Sequence, residues 1–130
     1  SSDVCSSDLG ATTAVTEVIP AMKGKLDGLA MRVPVPNGSI VDFVCVLKKK
    51  TTKDKLNETL KKASKTKLKG ILDYSEEELV GMDIVQNPHS SIVDSLSTQI
   101  INGNTVKILS WYDNEWGYSN RLVDLIKKLR

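Results

Sequence analysis

The sequence predicts an α+β fold: a mostly antiparallel, mixed sheet with helices on one face and a further helix at the C-terminus. Three observations lead there. Short runs rich in β-branched and aromatic residues recur along the chain, and turn signals built on Asn-Gly join several of them. Helical periodicity is confined to three segments. No glycine fingerprint of the G-x-G-x-x-G type follows a strand, so a dinucleotide-binding half is not expected in this chain.

The elements follow in order. Over residues 10–19, Ala11, Ala14, Val15, Val18 and Ile19 recur three and four apart, the spacing of one helix face. Pro20, Gly24 and Gly28 close that helix and open a turn. Residues 29–35 and 39–47 then read as strands around Pro36-Asn37-Gly38, where proline presets φ and Asn-Gly accepts the left-handed region. Residues 51–65 form the strongest helical pattern. Thr51 and Asp54 resemble a capping box, and Leu56, Leu60 and Ala63 share one face while lysines fill the rest. Short strands follow at 68–74 and 92–95, then a hairpin of 98–101 with 105–111 around Asn102-Gly103-Asn104. The last helix begins near Glu115. Its stripe is Leu122, Val123, Ile126 and Leu129, and Lys127, Lys128 and Arg130 suit the negative end of its dipole.

At 130 residues the chain has the length of one domain. It is 40% hydrophobic and 26% charged, an ordinary globular composition. No apolar run approaches the roughly 18 residues a membrane span needs, and no basic segment precedes an apolar one as in a secretory signal, so no membrane partner is expected. Cys5 and Cys45 are the only cysteines, too few for a disulfide framework or a metal cluster, and they point to a reducing compartment. The sequons at Asn37 and Asn57 are read as chance. Ten lysines lie between Lys48 and Lys69 against only Asp54 and Glu58, and an acidic stretch from Asp73 to Asp83 answers them. Without arginine or interleaved aromatics, this block reads as a solvated helix face, and nucleic acid is not expected as a partner.

Residues 1–9, SSDVCSSDL, repeat Ser-Ser-Asp and carry no apolar periodicity. They back-translate to a nucleotide string resembling a widely used sequencing-library adapter. They are read as non-native and set aside, Cys5 with them.

Four of the six aromatics, Trp111, Tyr112, Trp116 and Tyr118, fall within eight residues. A core cluster where a strand meets a helix accounts for such a concentration, but the order of residues says more. SWYDNEWGYSNR, from Ser110, resembles the passage of the glyceraldehyde-3-phosphate dehydrogenase catalytic domain into its C-terminal helix. KGKLDGLAMRVPVPN from Lys23, LKGILDYSEEELV from Leu68 and HSSIVD from His89 resemble three further segments of that family, in the same order and at similar spacing. The likeness covers residues 10–130 and implies the C-terminal domain of the phosphorylating enzyme.

The resemblance implies a division of the chain into a partial catalytic, or substrate, domain at 10–112 and a C-terminal helix at 113–130 that docks on an NAD-binding domain absent here. For the full-length enzyme it implies that a cysteine thiolate, activated by histidine, adds to the aldehyde of glyceraldehyde 3-phosphate. Hydride passes to NAD, and inorganic phosphate releases 1,3-bisphosphoglycerate. It further implies a cytoplasmic, glycolytic homotetramer. The nucleophile and the base belong upstream of Gly10, so no catalytic residue is expected in this chain, nor any metal ligand.

Carried over by position, Arg32 becomes an anion-site arginine, whose planar, permanently charged fork suits phosphate oxygens. A structural ion pair or an exposed edge is the alternative for a lone arginine in an apolar run. Gly10 matches a glycine of the phosphate-binding loop. Leu9 stands where the family usually has threonine, so that hydroxyl is missing, and the mismatch falls at the adapter-like junction. Asn114 matches the asparagine that holds the nicotinamide carboxamide, and asparagine also suits a helix N-cap. Tyr118 matches an aromatic beside the nicotinamide, with helix-to-sheet packing as its other reading. His89, the only histidine, falls in a segment away from the family's active centre and is read as structural. Cys45, in VDFVCVL, is read as an inert core thiol. Val35 and Gly38 depart from the commoner family residues, with effects expected on strand stability alone. Two rival readings are an erythrose-4-phosphate dehydrogenase fragment and a non-enzymatic binding module built on the lysine helix.

Overall fold

A four-stranded sheet, two of its strands paired on both sides, organises most of the described residues. The computed structural model describes residues 10–129. In order they form α1 (Gly10–Val18), a 3-10 turn (Pro20–Met22), β1 (Ser39–Val46), α2 (Lys53–Lys65), β2 (Leu72–Ser75), α3 (Gly81–Ile84), β3 (Ser91–Ile101), β4 (Thr105–Tyr112) and α4 (Trp116–Lys128). The adapter-like residues 1–9 and Arg130 lie outside the described residues. The described chain divides into two compact units, one ending at Val35 and the other beginning at Pro36.

In the first unit, α1 passes through the Pro20–Met22 turn into an irregular segment. Residues 29–35 are not a strand, contrary to their alternating pattern. Leu29, Met31, Val33 and Val35 are 55–79% exposed. The amide of Val35 donates to the carbonyl of Val33 at 2.9 Å, closing a tight turn around Pro34. A strand needs a neighbour to take its backbone N–H and C=O groups, and Pro34 and Pro36 supply no N–H at all. Periodicity alone does not make a ladder.

In the second unit the sheet order is β1-β4-β3-β2. β1 and β3 both run antiparallel to β4, while β2 runs parallel to β3, giving the mixed sheet expected of an α+β domain. The 98–101 and 92–95 runs belong to one strand, β3, broken in register between Asp94 and Gln99. Asp94 ties that break: its carboxylate accepts the backbone and hydroxyl of Ser97 at 3.1 and 3.0 Å. In the three-residue loop 102–104 that joins β3 to β4, Asn102 and Gly103 both have positive φ, 53° and 78°, the left-handed region that Asn and Gly accept. Ile84, Ile92, Val93 and Val106 are the fully buried apolar side chains among the described residues.

Helix α2 packs on β2 and β3 with Leu56, Leu60 and Ala63 half-buried. Its cap is Thr52, whose hydroxyl accepts the Lys55 amide at 3.3 Å, so the capping residue is Thr52 and not Thr51. Part of the lysine block is already engaged within the chain. Lys61 pairs with Glu76 at 2.6 Å and lies over the Tyr74 ring, and Lys53 donates to the Leu96 carbonyl at 2.8 Å. The hydrogen bond to Glu76 raises the Lys61 ammonium above its ordinary value. Asn57, the second sequon asparagine, donates to the Ser95 carbonyl at 3.1 Å. Cys45 is a half-buried free thiol on β1 rather than a core residue.

Candidate functional site

The polar side chains converge where β4 turns into α4. Asp113 ends the strand and is buried, 4% exposed. Its Oδ1 accepts the amides of Glu115 and Trp116 at 2.9 and 2.7 Å, the two bonds a helix N-cap makes. Its Oδ2 accepts the Gln86 amide at 2.9 Å and the Asn37 side-chain amide at 2.8 Å. Burial acts to raise this carboxyl, but the four donated bonds outweigh it and hold it down at about 2. One carboxylate thereby fixes the start of α4, the turn before β1 and the left-handed bend at Gln86, whose φ is 64°.

Asn114 is therefore not the cap. Its backbone follows a capping aspartate, and its exposed side chain is turned elsewhere, with Nδ2 donating to Ser39 Oγ at 2.7 Å. Tyr118 stands on the first turn of α4 and is 66% exposed, so it does not pack between helix and sheet. Asn114 and Tyr118 thus flank the head of one helix, both open to solvent.

The helix head is held close to its support. A Cβ built on Gly117 would lie 2.8 Å from the His89 carbonyl oxygen, so only glycine lets α4 approach that loop. His89 itself is braced: Nδ1 sits 2.8 Å from Asn87 Oδ1 and 3.8 Å from Asp73. Further along, Arg121 donates to the Gly70 carbonyl at 2.8 Å and pairs with Asp124.

Arg32 and Gly10 belong to the other compact unit. Arg32 is exposed in the irregular 29–35 segment and is not set in a strand. Gly10 is the first residue of α1, with open space where a Cβ would stand. The sequence reading missed Asp113, Ser39, Asn37 and Gly117 as organisers of the junction. Asp113 was detectable, since aspartate caps as well as asparagine and sits three residues before the first helical turn. Asn37 and Ser39 become visible only once β1 is paired with β4, and Gly117 only once α4 lies against the loop at His89.

Residues 2–114 match the family model described as glyceraldehyde 3-phosphate dehydrogenase, C-terminal domain, a span that opens inside the adapter-like stretch. The chain belongs to that family. It is 54% identical over 118 residues to glyceraldehyde-3-phosphate dehydrogenase 2 of Bacillus subtilis, covering 91% of this chain and 35% of that protein. It is 58% identical over 122 residues to the Borreliella burgdorferi glyceraldehyde-3-phosphate dehydrogenase, covering 92% and 36%. Against the Priestia megaterium enzyme the identity is 57% over 116 residues, covering 89% and 35%. The chain spans about a third of the length of these relatives.

Proposed function

We propose that this chain supplies the C-terminal third of a phosphorylating, NAD-dependent glyceraldehyde-3-phosphate dehydrogenase acting in the cytoplasm as a homotetramer. The observation that carries the reading is identity above half, spread over nine-tenths of the chain, with relatives named for that activity. In this reading Arg32 and the amides that open α1 at Gly10 hold phosphate groups of glyceraldehyde 3-phosphate and of inorganic phosphate. A guanidinium fork and a helix N-terminus are both suited to anions. Asn114 orients the nicotinamide carboxamide, and Tyr118 borders the ring. The fit is chemical: Asn114 is exposed and keeps its Oδ1 and one Nδ2 proton beyond the bond to Ser39. NAD, when bound, accepts the hydride. The nucleophile and the general base come from the upstream part of the enzyme, together with the domain on which α4 docks.

The test is reconstitution. Residues 10–130 fused behind the upstream two-thirds of the Bacillus subtilis relative should reduce NAD in a manner dependent on glyceraldehyde 3-phosphate and phosphate, read at the absorbance of the reduced cofactor. The 130-residue chain alone should give no rate above buffer. A folded but inactive fusion, or turnover by the pure chain, refutes the proposal.

A further inference from the structure

A primary carboxamide has two ends of opposite hydrogen-bonding character, and its terminal torsion is soft. Unanchored, Asn114 would present its oxygen or its nitrogen to a ligand with nearly equal ease. The structure anchors it. Nδ2 is 2.7 Å from Ser39 Oγ, so one of its two protons is taken, on a residue that is otherwise exposed.

Ser39 is itself held from several directions. It begins β1 and pairs with Tyr112 on β4, two residues before Asn114. Gly38, just ahead of it, has φ of 88°, and the Gly81 carbonyl oxygen lies 3.2 Å from where its Cβ would be. Asn37 donates to Asp113, the neighbour of Asn114, at 2.8 Å. Two side-chain rungs, Asn37–Asp113 and Ser39–Asn114, therefore cross from the turn before β1 to the head of α4. The first rung is buried at Asp113 and serves the fold. The second ends on an exposed amide and serves no buried group.

We propose that Ser39 is a positioning residue for the cofactor: it fixes the rotational state of the Asn114 carboxamide, so that Oδ1 and the remaining Nδ2 proton meet a ligand carboxamide as acceptor and donor. This rests on the assignment of Asn114 to the nicotinamide made above. The hydroxyl needs no charge change and touches no reacting atom. Its effect passes through Asn114 alone.

Two experiments separate the possibilities. In the 130-residue chain, the side-chain amide resonances of Asn114 should shift and sharpen differently in Ser39→Ala and return in Ser39→Thr, which keeps the hydroxyl. In the fusion enzyme, Ser39→Ala should lower kcat/KM for NAD about threefold to tenfold, the effect of one hydrogen bond, with Ser39→Thr restoring most of it. The double variant Ser39→Ala with Asn114→Ala should be no worse than Asn114→Ala alone, because Ser39 acts only through that amide. Amide resonances indifferent to Ser39→Ala, additive losses in the double variant, or an unchanged kcat/KM in Ser39→Ala while Asn114→Ala lowers it, each overturn the inference and leave the role of Asn114 standing. If Asn114→Ala itself leaves kcat/KM for NAD unchanged, the cofactor role of Asn114 fails, and this inference with it.

Discussion

Asp113 shows how much a single carboxylate can organise when all its partners are donors. Its carboxyl falls from 3.8 to about 2, so the folded state holds this proton less tightly than the unfolded chain. A depressed folded value contributes stability that is complete above pH 4 and lost as pH falls through about 2. The full contribution is about 2 kcal/mol at most. We expect the urea midpoint of the chain to fall between pH 4 and pH 2, and Asp113→Asn to remove that part of the slope. The variant should also be less stable at pH 7 by about 2 kcal/mol, since an amide nitrogen placed at either oxygen confronts two donors. An Asp113→Asn chain that keeps the full acid slope contradicts this account. Gly117 is the steric counterpart. In an open helix, alanine for glycine gains about 1 kcal/mol. Here the new methyl group would meet the His89 carbonyl oxygen at 2.8 Å, with backbone on both sides of the contact. Gly117→Ala should therefore destabilise, by about 1–3 kcal/mol, measured by urea unfolding.

At the scale of elements, the sequence disclosed whatever a local pattern determines. Helix α2 was legible because its half-buried stripe, its lysine face and a threonine cap lie within one short segment, with an error of one residue at the cap. The β3–β4 hairpin was legible because Asn102-Gly103 has few other uses. The failures involve partners distant in sequence. Residues 29–35 alternate like a strand but have no ladder among the described residues. The two halves of β3 read as separate strands because the break at 95–98 is held by Asp94, whose role depends on folded geometry. α3 is four residues long, too short for any periodicity, and is held by the Val80 amide on Asp83 at 2.8 Å. The candidate site divides in the same way: Asn114 was legible from a motif, whereas Ser39 lies 75 residues away and is joined to it only by the sheet. Thr52 offers the check at this scale. Thr52→Ala should cost about 1 kcal/mol, the usual value of a lost N-cap, and Thr51→Ala far less. Equal effects from the two substitutions would return the cap to Thr51.

For the whole molecule, the telling feature is how much apolar surface α4 leaves uncovered. Leu122, Val123, Leu125, Ile126 and Leu129 are 43–79% exposed, although the head of the same helix is closely docked through Gly117 and Arg121. Secured at one end and bare along its flank, α4 supports the docking on an upstream domain proposed above. Substitutions on so exposed a flank should leave the chain's own stability within about 0.5 kcal/mol. The same substitutions should matter greatly if that flank is covered by the upstream NAD-binding domain. Burying a leucine or isoleucine contributes about 1.5–3 kcal/mol, so losing two of them weakens an interface by roughly a hundredfold or more. Leu122→Ser with Ile126→Ser should therefore melt like the parent chain, yet bind the separately expressed upstream two-thirds of the Bacillus subtilis relative at least a hundredfold more weakly by calorimetry. Hydrogen exchange in α4 should slow on mixing with the parent chain and stay fast with the variant. Equal binding by both chains would mean that the stripe is not the docking face, and a large loss of stability in the isolated variant would mean that the flank is already in use within the chain.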